Sequence, residues 1–388
     1  MLVPLRYPLR SIAVRWRSSV FSAFGIACTV GVLAAILALR DGFDSLYLDA
    51  GSDEVVVYMR PGATSEGESG IRLDQVKLLE TTRPEVARDG SGKPIAAGEC
   101  YLAINLERVG GGTTNVPIRG IREESITIQG SNFQIDEGRL PQFGADEIIV
   151  GSKIPDRISR CRVGDELIIN LTPFKVVGTF RHPGAYGSEI WGDADRIAEA
   201  LDRPFRQRVI ARLKPGVDVG ALKKDLEKDL QTPATVMTER EYFNGQTKAL
   251  GTVIAVLAVF ISSIMGIAAV LGATTTMLAS IGSRTREIGI LLALGFSRGG
   301  IFLAFLIEAI LIGGAGGLLG CLGVLPFNGI ETGTTNWQTF TEVAFAFRVG
   351  GGLLLKAFVG ALLLGLLGGV APAIRAARMM PMAALRRH

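Results

Sequence analysis

Two adjoining stretches decide the fold of this chain: ALGTVIAVLAVFISSIMGIAAVLGATTTMLASIGS at residues 249–283 and RTREIGILLALG at residues 284–295. The first is the longest uncharged stretch in the sequence, and an apolar run of more than about 20 residues predicts a helix that crosses a membrane. The second is short, basic and amphipathic. The pair predicts a spanning helix joined at one membrane face to an element that something outside the bilayer can push or pull.

The composition indicates a membrane protein with a sizeable soluble part, since 48% of the 388 residues are hydrophobic and 49 are glycine. Four apolar segments are long enough to cross about 30 Å of hydrocarbon: Ser18–Leu39, Ala249–Ser283, Gly299–Leu325 and Val349–Pro372. The second is longer than a bilayer requires, so we expect it to tilt or to project beyond the membrane. The predicted fold class is four transmembrane α-helices with a large α+β extracytoplasmic domain inserted between the first and the second.

The positions of Lys and Arg predict the orientation, because cytoplasmic loops are enriched in these residues. Arginines without any acidic residue occupy segment 1–17 and the tail 373–388, and segment 284–298 carries three arginines against one glutamate. Acidic residues instead follow the first span and lie in the loop 326–348. Both termini and segment 284–298 are therefore predicted to be cytoplasmic, and the insert 40–248 to lie outside.

Segment 1–17 is predicted to form an interfacial helix on the inner leaflet. Its apolar face would carry Leu5, Leu9, Ile12 and Trp16, and its basic face Arg6, Arg10 and Arg17. A disordered basic leader is the alternative. The first span resembles a signal peptide only loosely, since its apolar region exceeds the usual 7–15 residues and no A-x-A site follows.

The insert has the pattern of a mixed α and β domain. The predicted strands are 54–60, 103–108, 116–121, 147–151, 166–170, 174–180 and 209–213, and the predicted helices are 73–81, 194–201 and 219–230. The middle stretch 110–190 is rich in short strands and turns. We interpret it as a separate lobe inserted between two halves of an α+β lobe.

Residues that carry catalysis are scarce. The two histidines are His182 and His388, and no nucleophile elbow surrounds His182. The sequence Gly90–Lys93 resembles a phosphate loop, but Pro94 replaces its Ser or Thr, so a solvated turn is the better interpretation. We predict no catalytic residue, no metal site and no cofactor bound by the chain itself.

Two ionisable residues lie inside the predicted spans, Glu308 and Lys356. Intramembrane charge is costly and often functional. Lys356 lies near the outer end of its span and can snorkel. For Glu308 we favour a structural role, in which it packs against a neighbouring helix or against segment 284–298, over a role in a proton or ion relay.

Small residues in the third span predict close helix packing. Gly313, Gly316, Gly317 and Gly320 form overlapping G-x-x-x-G spacings, and the sequence leaves open whether they pack within one subunit or between two. Among the four cysteines, Cys28 and Cys321 lie in apolar runs. Cys100 and Cys161 lie in the insert and would be candidates for a disulfide in an oxidising compartment.

The chain resembles the MacB/FtsX superfamily of ABC-transporter permeases over nearly its whole length. In the insert, the resemblance lies in Gly138-Arg139, Glu147–Gly151, Val163–Asp165 and Phe174–Gly178. Towards the C-terminus it lies in Arg286–Gly289, Ala293–Gly295, Pro372-Ala373, Arg375–Arg378 and Pro381–Arg386. Each piece is weak alone, but their order on this topology is specific.

The resemblance implies a permease subunit of the mechanotransmission type in a bacterial inner membrane. A second permease copy or a paralogue would pair with it, and a separate cytoplasmic ABC ATPase would bind ATP and Mg, since the sequence contains no Walker motif. The residues expected to couple to the ATPase are Arg284, Arg286, Glu287, Ile288, Gly289, Leu292, Leu294 and Gly295.

The resemblance further implies export of lipid, lipoprotein, peptide or drug, with a periplasmic adaptor or carrier, contact with membrane lipid and no nucleic acid. The alternative is an FtsX-like regulator that activates a periplasmic cell-wall hydrolase, although FtsX inserts are typically smaller. A membrane-anchored enzyme with its active site in the insert is the third hypothesis.

Overall fold

The computed structural model describes residues 6–48, 51–182, 184–335 and 341–380. The helices are α1 (Arg6–Val14), α2 (Trp16–Leu48), α3 (Leu73–Thr81), α4 (Glu123–Gln129), α5 (Ala194–Ala200), α6 (Val219–Lys228), α7 (Glu239–Ser283), α8 (Thr285–Ala293), α9 (Arg298–Val324) and α10 (Gly351–Ala377). The first eight strands are β1 (Val55–Met59), β2 (Ile71–Arg72), β3 (Ala96–Glu107), β4 (Thr113–Ile121), β5 (Gln134–Gly138), β6 (Glu147–Gly151), β7 (Glu166–Ile169) and β8 (Thr172–Arg181). The others are β9 (Ile190–Asp193), β10 (Phe205–Arg206), β11 (Arg208–Arg212), β12 (Thr235–Thr238), β13 (Glu331–Thr335) and β14 (Glu342–Ala346).

The chain divides into two units. The helical unit comprises residues 1–42, 252–330 and 346–388, and the insert unit comprises residues 43–251 and 331–345. Four helices, α2, α7, α9 and α10, are long and apolar enough to cross a membrane. The predicted fold class, four spans with a large domain between the first and second, is therefore confirmed. The fourth helix continues past its predicted end at Pro372, which lies buried inside it.

Helix α7 is the longest of these helices and begins well before the predicted start of its span. Its 45 residues correspond to about 67 Å at 1.5 Å per residue, more than twice the thickness of the hydrocarbon core. The portion from Glu239 to Gly251 belongs to the insert unit and the remainder to the helical unit. The expected projection of this span is thus a continuous helical extension into the insert.

The glycines of α9 pack within one subunit, on two different helices. A Cβ on Gly313 would lie 2.8 Å from Ala361 O and 2.9 Å from the Cα of Gly365, both on α10. A Cβ on Gly316 would lie 2.6 Å from Ala23 O on α2. Gly317 likewise faces α10, and Gly320 faces α2. The overlapping spacings therefore let α9 approach two neighbours at backbone distance.

The insert is built on one ten-stranded sheet in the order β12-β1-β11-β3-β4-β9-β6-β8-β5, with β7 paired to β8. The long strand β3 is shared: Ala96–Glu99 pair with β11 and Cys100–Glu107 pair with β4. One apolar core lies around Tyr58 and Val209 and a second around Ile148 and Phe174. The second core draws on the stretch 110–190 and on flanking residues such as Cys100 and Ile197, and a common sheet joins it to the first.

The loop between α9 and α10 folds into the hairpin of β13 and β14 and docks on the insert. Glu342 pairs with both Arg108 and Arg157, and Lys153 Nζ donates to Ala344 O at 3.2 Å. The segment after the third span therefore contacts the domain that follows the first.

Helix α1 follows the predicted N-terminal segment only in part. Leu5 lies outside the described residues, and Trp16 belongs to the next helix. Ser11 is buried and donates to Glu308 on α9. One side of α1 is therefore held against the helical unit by a polar contact, which the expected apolar face did not indicate.

Candidate functional site

The predicted coupling segment folds into helix α8, whose C-terminus is closed by a Schellman motif. The Phe296 N–H donates to Leu291 O at 3.2 Å, and the Gly295 N–H donates to Leu292 O at 3.1 Å. Gly295 has a φ of +91°, a left-handed conformation that favours glycine. The Ala-Leu-Gly sequence ending at this residue therefore stops the helix at a defined point.

The residues assigned to coupling divide between the two faces of α8. One face is turned inward and carries three buried residues and one half-buried residue: Arg284, Ile288 and Gly289, and Leu292. The other face is exposed and carries Arg286, Glu287, Leu294 and Gly295. Ile290, which sequence reasoning missed, is also exposed. Because residues four apart share a helix face, Arg286, Ile290 and Leu294 form one outer stripe. That spacing was the signal available in the sequence.

The intramembrane carboxylate of Glu308 is paired with the coupling segment. Arg284 Nη1 lies 3.3 Å from Glu308 Oε2, and Ser11 Oγ donates to Glu308 Oε1 at 2.8 Å. Glu308 is 6% exposed and Arg284 is 3% exposed. The structure thus brings together two predicted site residues that lie on different helical elements.

The guanidinium of Arg284 is enclosed on its remaining sides. Its centre lies 4.9 Å from the ring of Tyr7 and 5.3 Å from the ring of Phe305, at cation–π distance. Its Nε lies 3.3 Å from the exposed carboxylate of Glu287. Arg284 therefore joins α1, α8 and α9 at one buried point.

A second arginine ties α7 to the junction of α1 and α2. Arg15 Nη1 donates to Ser280 O at 2.7 Å, to Ser280 Oγ at 2.8 Å and to Ser283 Oγ at 2.7 Å. Ser283 is the last residue of α7. The end of the long helix is therefore fixed to the N-terminal segment immediately before α8 begins.

The insert contains a buried charge network that sequence reasoning missed. Arg119 contacts the carboxylates of Glu66 at 2.8 Å, Glu99 at 3.1 Å and Glu189 at 2.7 Å. Arg208 contacts Glu66 at 2.7 Å and Glu99 at 2.6 Å. Three carboxylates thus meet two guanidinium groups at the junction of the two cores.

Pairing favours the charged forms of Arg119 and Glu66. Burial alone would lower the pKa of Arg119, but the carboxylates of Glu189 and Glu66 outweigh it and raise the pKa well above its usual value. Burial alone would raise the pKa of Glu66, but Arg119 and Arg208 hold it below its usual value. Arg119 and Glu66 therefore stay ionised in the folded insert, and the five side chains of the network are buried.

Helix α7 begins inside this network. Glu239, its first residue, accepts hydrogen bonds from Tyr186 Oη at 3.0 Å and from Gln129 Nε2 at 3.3 Å. Arg208 Nη2 donates to the same Tyr186 Oη at 2.9 Å. Burial raises the pKa of Glu239 despite the nearby Arg208. The start of the long helix is thereby bonded to Tyr186 and Gln129 of the insert.

His182, the one histidine among the described residues, is a buried structural group. Its Nδ1 accepts from the Gly184 N–H at 3.1 Å, and its Nε2 lies 3.2 Å from Gln129 Oε1. Burial, with a smaller contribution from Lys153, lowers the pKa of His182 to about 4. Hydrogen bonds at both ring nitrogens thus hold the imidazole of His182 in place.

We expect His182 to make the insert acid-sensitive. The unfolded chain takes up this proton near pH 6.5 and the folded chain near pH 4, so acid favours unfolding between these values, by about 3 kcal/mol in total. The melting temperature of His182→Gln should therefore fall less between pH 7 and pH 5 than that of the parent protein. Tryptophan fluorescence would report the unfolding of both proteins. An identical loss in both proteins would contradict this role.

The suggested disulfide is absent. Cys100 and Cys161 are both free and buried in the second core, and Cys100 Sγ donates to Ala194 O at 3.7 Å. Burial raises the pKa of Cys100 to about 11 and that of Cys161 to about 12. Both cysteines therefore serve as small apolar core residues.

Neither a metal site nor an ion relay is seen in the described part of the chain. No group of three or more His, Cys, Asp or Glu side chains there is placed to hold a metal ion. Lys356 is exposed near the start of α10, whereas Glu308 is buried and paired with Arg284.

Comparisons with known proteins match both parts of this architecture. Residues 19–229 match the family described as MacB-like periplasmic core domain, and residues 249–381 match the FtsX-like permease C-terminal family. The macrolide export ATP-binding/permease protein MacB of Bdellovibrio bacteriovorus is 25% identical over 93% of this chain and 57% of its own length. The pyoverdine export ATP-binding/permease protein PvdT of Pseudomonas fluorescens is 27% identical over 97% of this chain and 59% of its own length. The chain thus spans less than two thirds of these relatives.

Among solved structures, the periplasmic region of MacB from Actinobacillus actinomycetemcomitans aligns with 50% of this chain at 11% identity, with a TM-score of 0.37. The family match over residues 19–229 covers more than half of the sequence, and the C-terminal match covers the three spans that follow the insert. The chain therefore belongs to the MacB/FtsX superfamily of ABC-transporter permeases.

Proposed function

We propose that this chain is the non-catalytic transmembrane subunit of an ABC export complex, and that it transmits ATP hydrolysis in a separate cytoplasmic ATPase to movement of the insert. ATP and Mg would be bound by that ATPase. The observation that carries the proposal is the unbroken helix α7. It begins in the buried network of the insert at Glu239 and ends at Ser283, where Arg15 holds it beside α8.

The proposed location is a bacterial inner membrane with both termini in the cytoplasm. The arginine-rich flanks support this orientation. Docking of the β13–β14 hairpin on the insert supports an alternating arrangement of the four spans.

The proposed docking surface for the ATPase is the outer stripe of α8. Ile290 is 45% exposed and Leu294 is 67% exposed, and the exposed Arg286 adds a charge. The opposite face of α8 packs against α7 and α9 through Ile288. Force applied to the stripe would therefore pass directly into the spanning helices.

A second permease copy or a paralogue is the proposed partner in the membrane. Only 11% of the most apolar stretch of α7 is buried by the rest of the chain, the smallest share among the four candidate spans. Val256, Val259 and Phe260 are among the large apolar side chains that this helix leaves exposed. A partner span would cover that face.

The proposed cargo is a lipid, lipoprotein, peptide or small-molecule drug, received through a periplasmic adaptor or carrier. Support for export comes from the relatives, whose names describe macrolide and pyoverdine export. No described feature of the insert favours the alternative of a cell-wall hydrolase regulator.

The coupling proposal is tested by replacing Arg286, Ile290 and Leu294 together with alanine. We expect co-purification of the ATPase and permease-stimulated ATP hydrolysis to fall at least about tenfold, because these exposed side chains would form the contact. Arg378→Ala is the matched control, since it removes an exposed arginine at the end of α10. Unchanged stimulation in the triple variant, or an equal loss in the control, would refute the assignment.

A further inference from the structure

A pocket of about 340 Å³ opens beside the coupling helix, where α1 turns into α2. Its wall carries three guanidinium groups, those of Arg10, Arg15 and Arg284, and the carboxylate of Glu287. Glu308 lies behind Arg284 and pairs with it. Three cations and two anions leave this region with a formal charge of +1.

Two of the three arginines have guanidinium N–H groups that bond to no described residue. Arg15 is anchored through Nη1 alone, and its Nε and Nη2 make no hydrogen bond with any residue that the structure describes. Arg10 is exposed and likewise makes no hydrogen bond or ion pair within the described ranges. A guanidinium held by one nitrogen presents the other two as a planar fork, the geometry that suits phosphate oxygens.

The surroundings of the pocket are those of a membrane interface. Val14 is 72% exposed and Trp16 is 59% exposed, and α2, which begins at Trp16, is the first spanning helix. Tryptophan is enriched at the level of the lipid headgroups. A phosphate at Arg15 would therefore lie at headgroup depth, with apolar side chains next to it for the acyl chains.

We propose that this pocket binds the phosphate of an anionic phospholipid such as phosphatidylglycerol, held by Arg10 and the free fork of Arg15. A net lipid charge of −1 matches the local charge of +1, which a zwitterionic lipid does not. Because Arg284 and Glu287 line the same pocket, the bound lipid would lie against the residues that fix α8. Lipid composition would then influence the coupling helix independently of which cargo is carried.

The test is native mass spectrometry of the purified, delipidated full-length permease with phosphatidylglycerol and phosphatidylcholine as probes. We expect the parent protein to prefer phosphatidylglycerol at least about tenfold. The double variant Arg10→Gln, Arg15→Gln should lose about 25-fold in phosphatidylglycerol affinity, since each arginine near an anionic lipid contributes roughly fivefold. Arg17→Gln is the matched control, because Arg17 is exposed nearby, over the ring of Trp16, and outside the pocket.

Several outcomes would overturn the proposal: equal affinity of the parent for both lipids, an unchanged preference in the double variant, or an equal loss in Arg17→Gln. Complete displacement of the lipid by inorganic phosphate would indicate a free-anion site instead. Loss of ATPase co-purification without a change in lipid affinity would place the pocket in a protein interface.

If the double variant does not fold, the single variant Arg10→Gln tests the site instead. The exposed Arg10 side chain has no partner to lose within the described residues, so this variant should fold and lose roughly fivefold in affinity. Arg15→Lys should keep the charge but lose the fork and give an intermediate affinity. Parent affinity in both single variants would also refute the site.

Discussion

Replacing Glu308 by alanine is expected to lower the free energy of unfolding by about 3–5 kcal/mol, because it leaves the buried guanidinium of Arg284 without its partner in a medium of low dielectric constant. It also removes the acceptor of the Ser11 hydroxyl. The measurement is the thermal unfolding midpoint of the full-length protein in detergent, together with its yield from membranes.

Glu287→Ala is the control, since Glu287 lies at the same 3.3 Å distance from Arg284 but its side chain is 60% exposed. A solvent-screened pair contributes about 1 kcal/mol or less. The double variant Glu308→Leu, Arg284→Leu should recover much of the loss, because no unpaired buried charge remains. Equal, small effects of Glu308→Ala and Glu287→Ala would show that the buried pair does not stabilise the helical unit.

Arg119→Leu is expected to lower the free energy of unfolding of the insert by about 3–5 kcal/mol. The substitution leaves the carboxylates of Glu66, Glu99 and Glu189 close together, with Arg208 as their one remaining cation within the described network. We expect an early unfolding step in the full-length protein, reported by the fluorescence of Trp191, whose Nε1 donates to Glu189 at 2.8 Å.

Arg139→Leu provides the comparison for this prediction. Arg139 also pairs with a carboxylate, that of Glu147, but its side chain is 57% exposed. Its loss should therefore cost about 1 kcal/mol or less. If the two arginine variants unfold at the same midpoint, the network contributes no more than an ordinary surface pair.

The spanning helices and the coupling helix could be predicted because their signals are local. A long apolar run predicts a transmembrane helix by itself, and the sequence of segment 284–295 carries both the amphipathic pattern and the glycine that ends α8. Helix α3 and strand β6 were likewise predicted with the bounds that the structure has, since flanking turns mark their limits.

Strands β5, β9 and β12 were not predicted. The reasons for β5 and β9 differ. Ile135 is the one large apolar residue of β5, and four of its five residues are exposed, so no alternating pattern marks the strand. The four residues of β9 are all buried and too few to show a period. These strands form because partners distant in sequence supply their hydrogen bonds, which a single sequence does not reveal.

The buried network escaped prediction for a similar reason. Its residues Glu66, Glu99, Arg119, Glu189 and Arg208 lie on separate elements, and each alone resembles an ordinary surface charge. The sequence alone therefore does not reveal that these groups converge in the folded insert. The cluster is nevertheless sealed, so its discovery gives no support to an enzymatic role.

The docked hairpin has a consequence for how the insert unfolds. Glu342 anchors the connection between α9 and α10 to Arg108 and Arg157 of the insert, while Glu239 anchors the start of α7 to the charge network. The hairpin and the first turns of α7 therefore belong to one folded unit. We expect them to lose their order together when the insert unfolds, rather than as two separate segments.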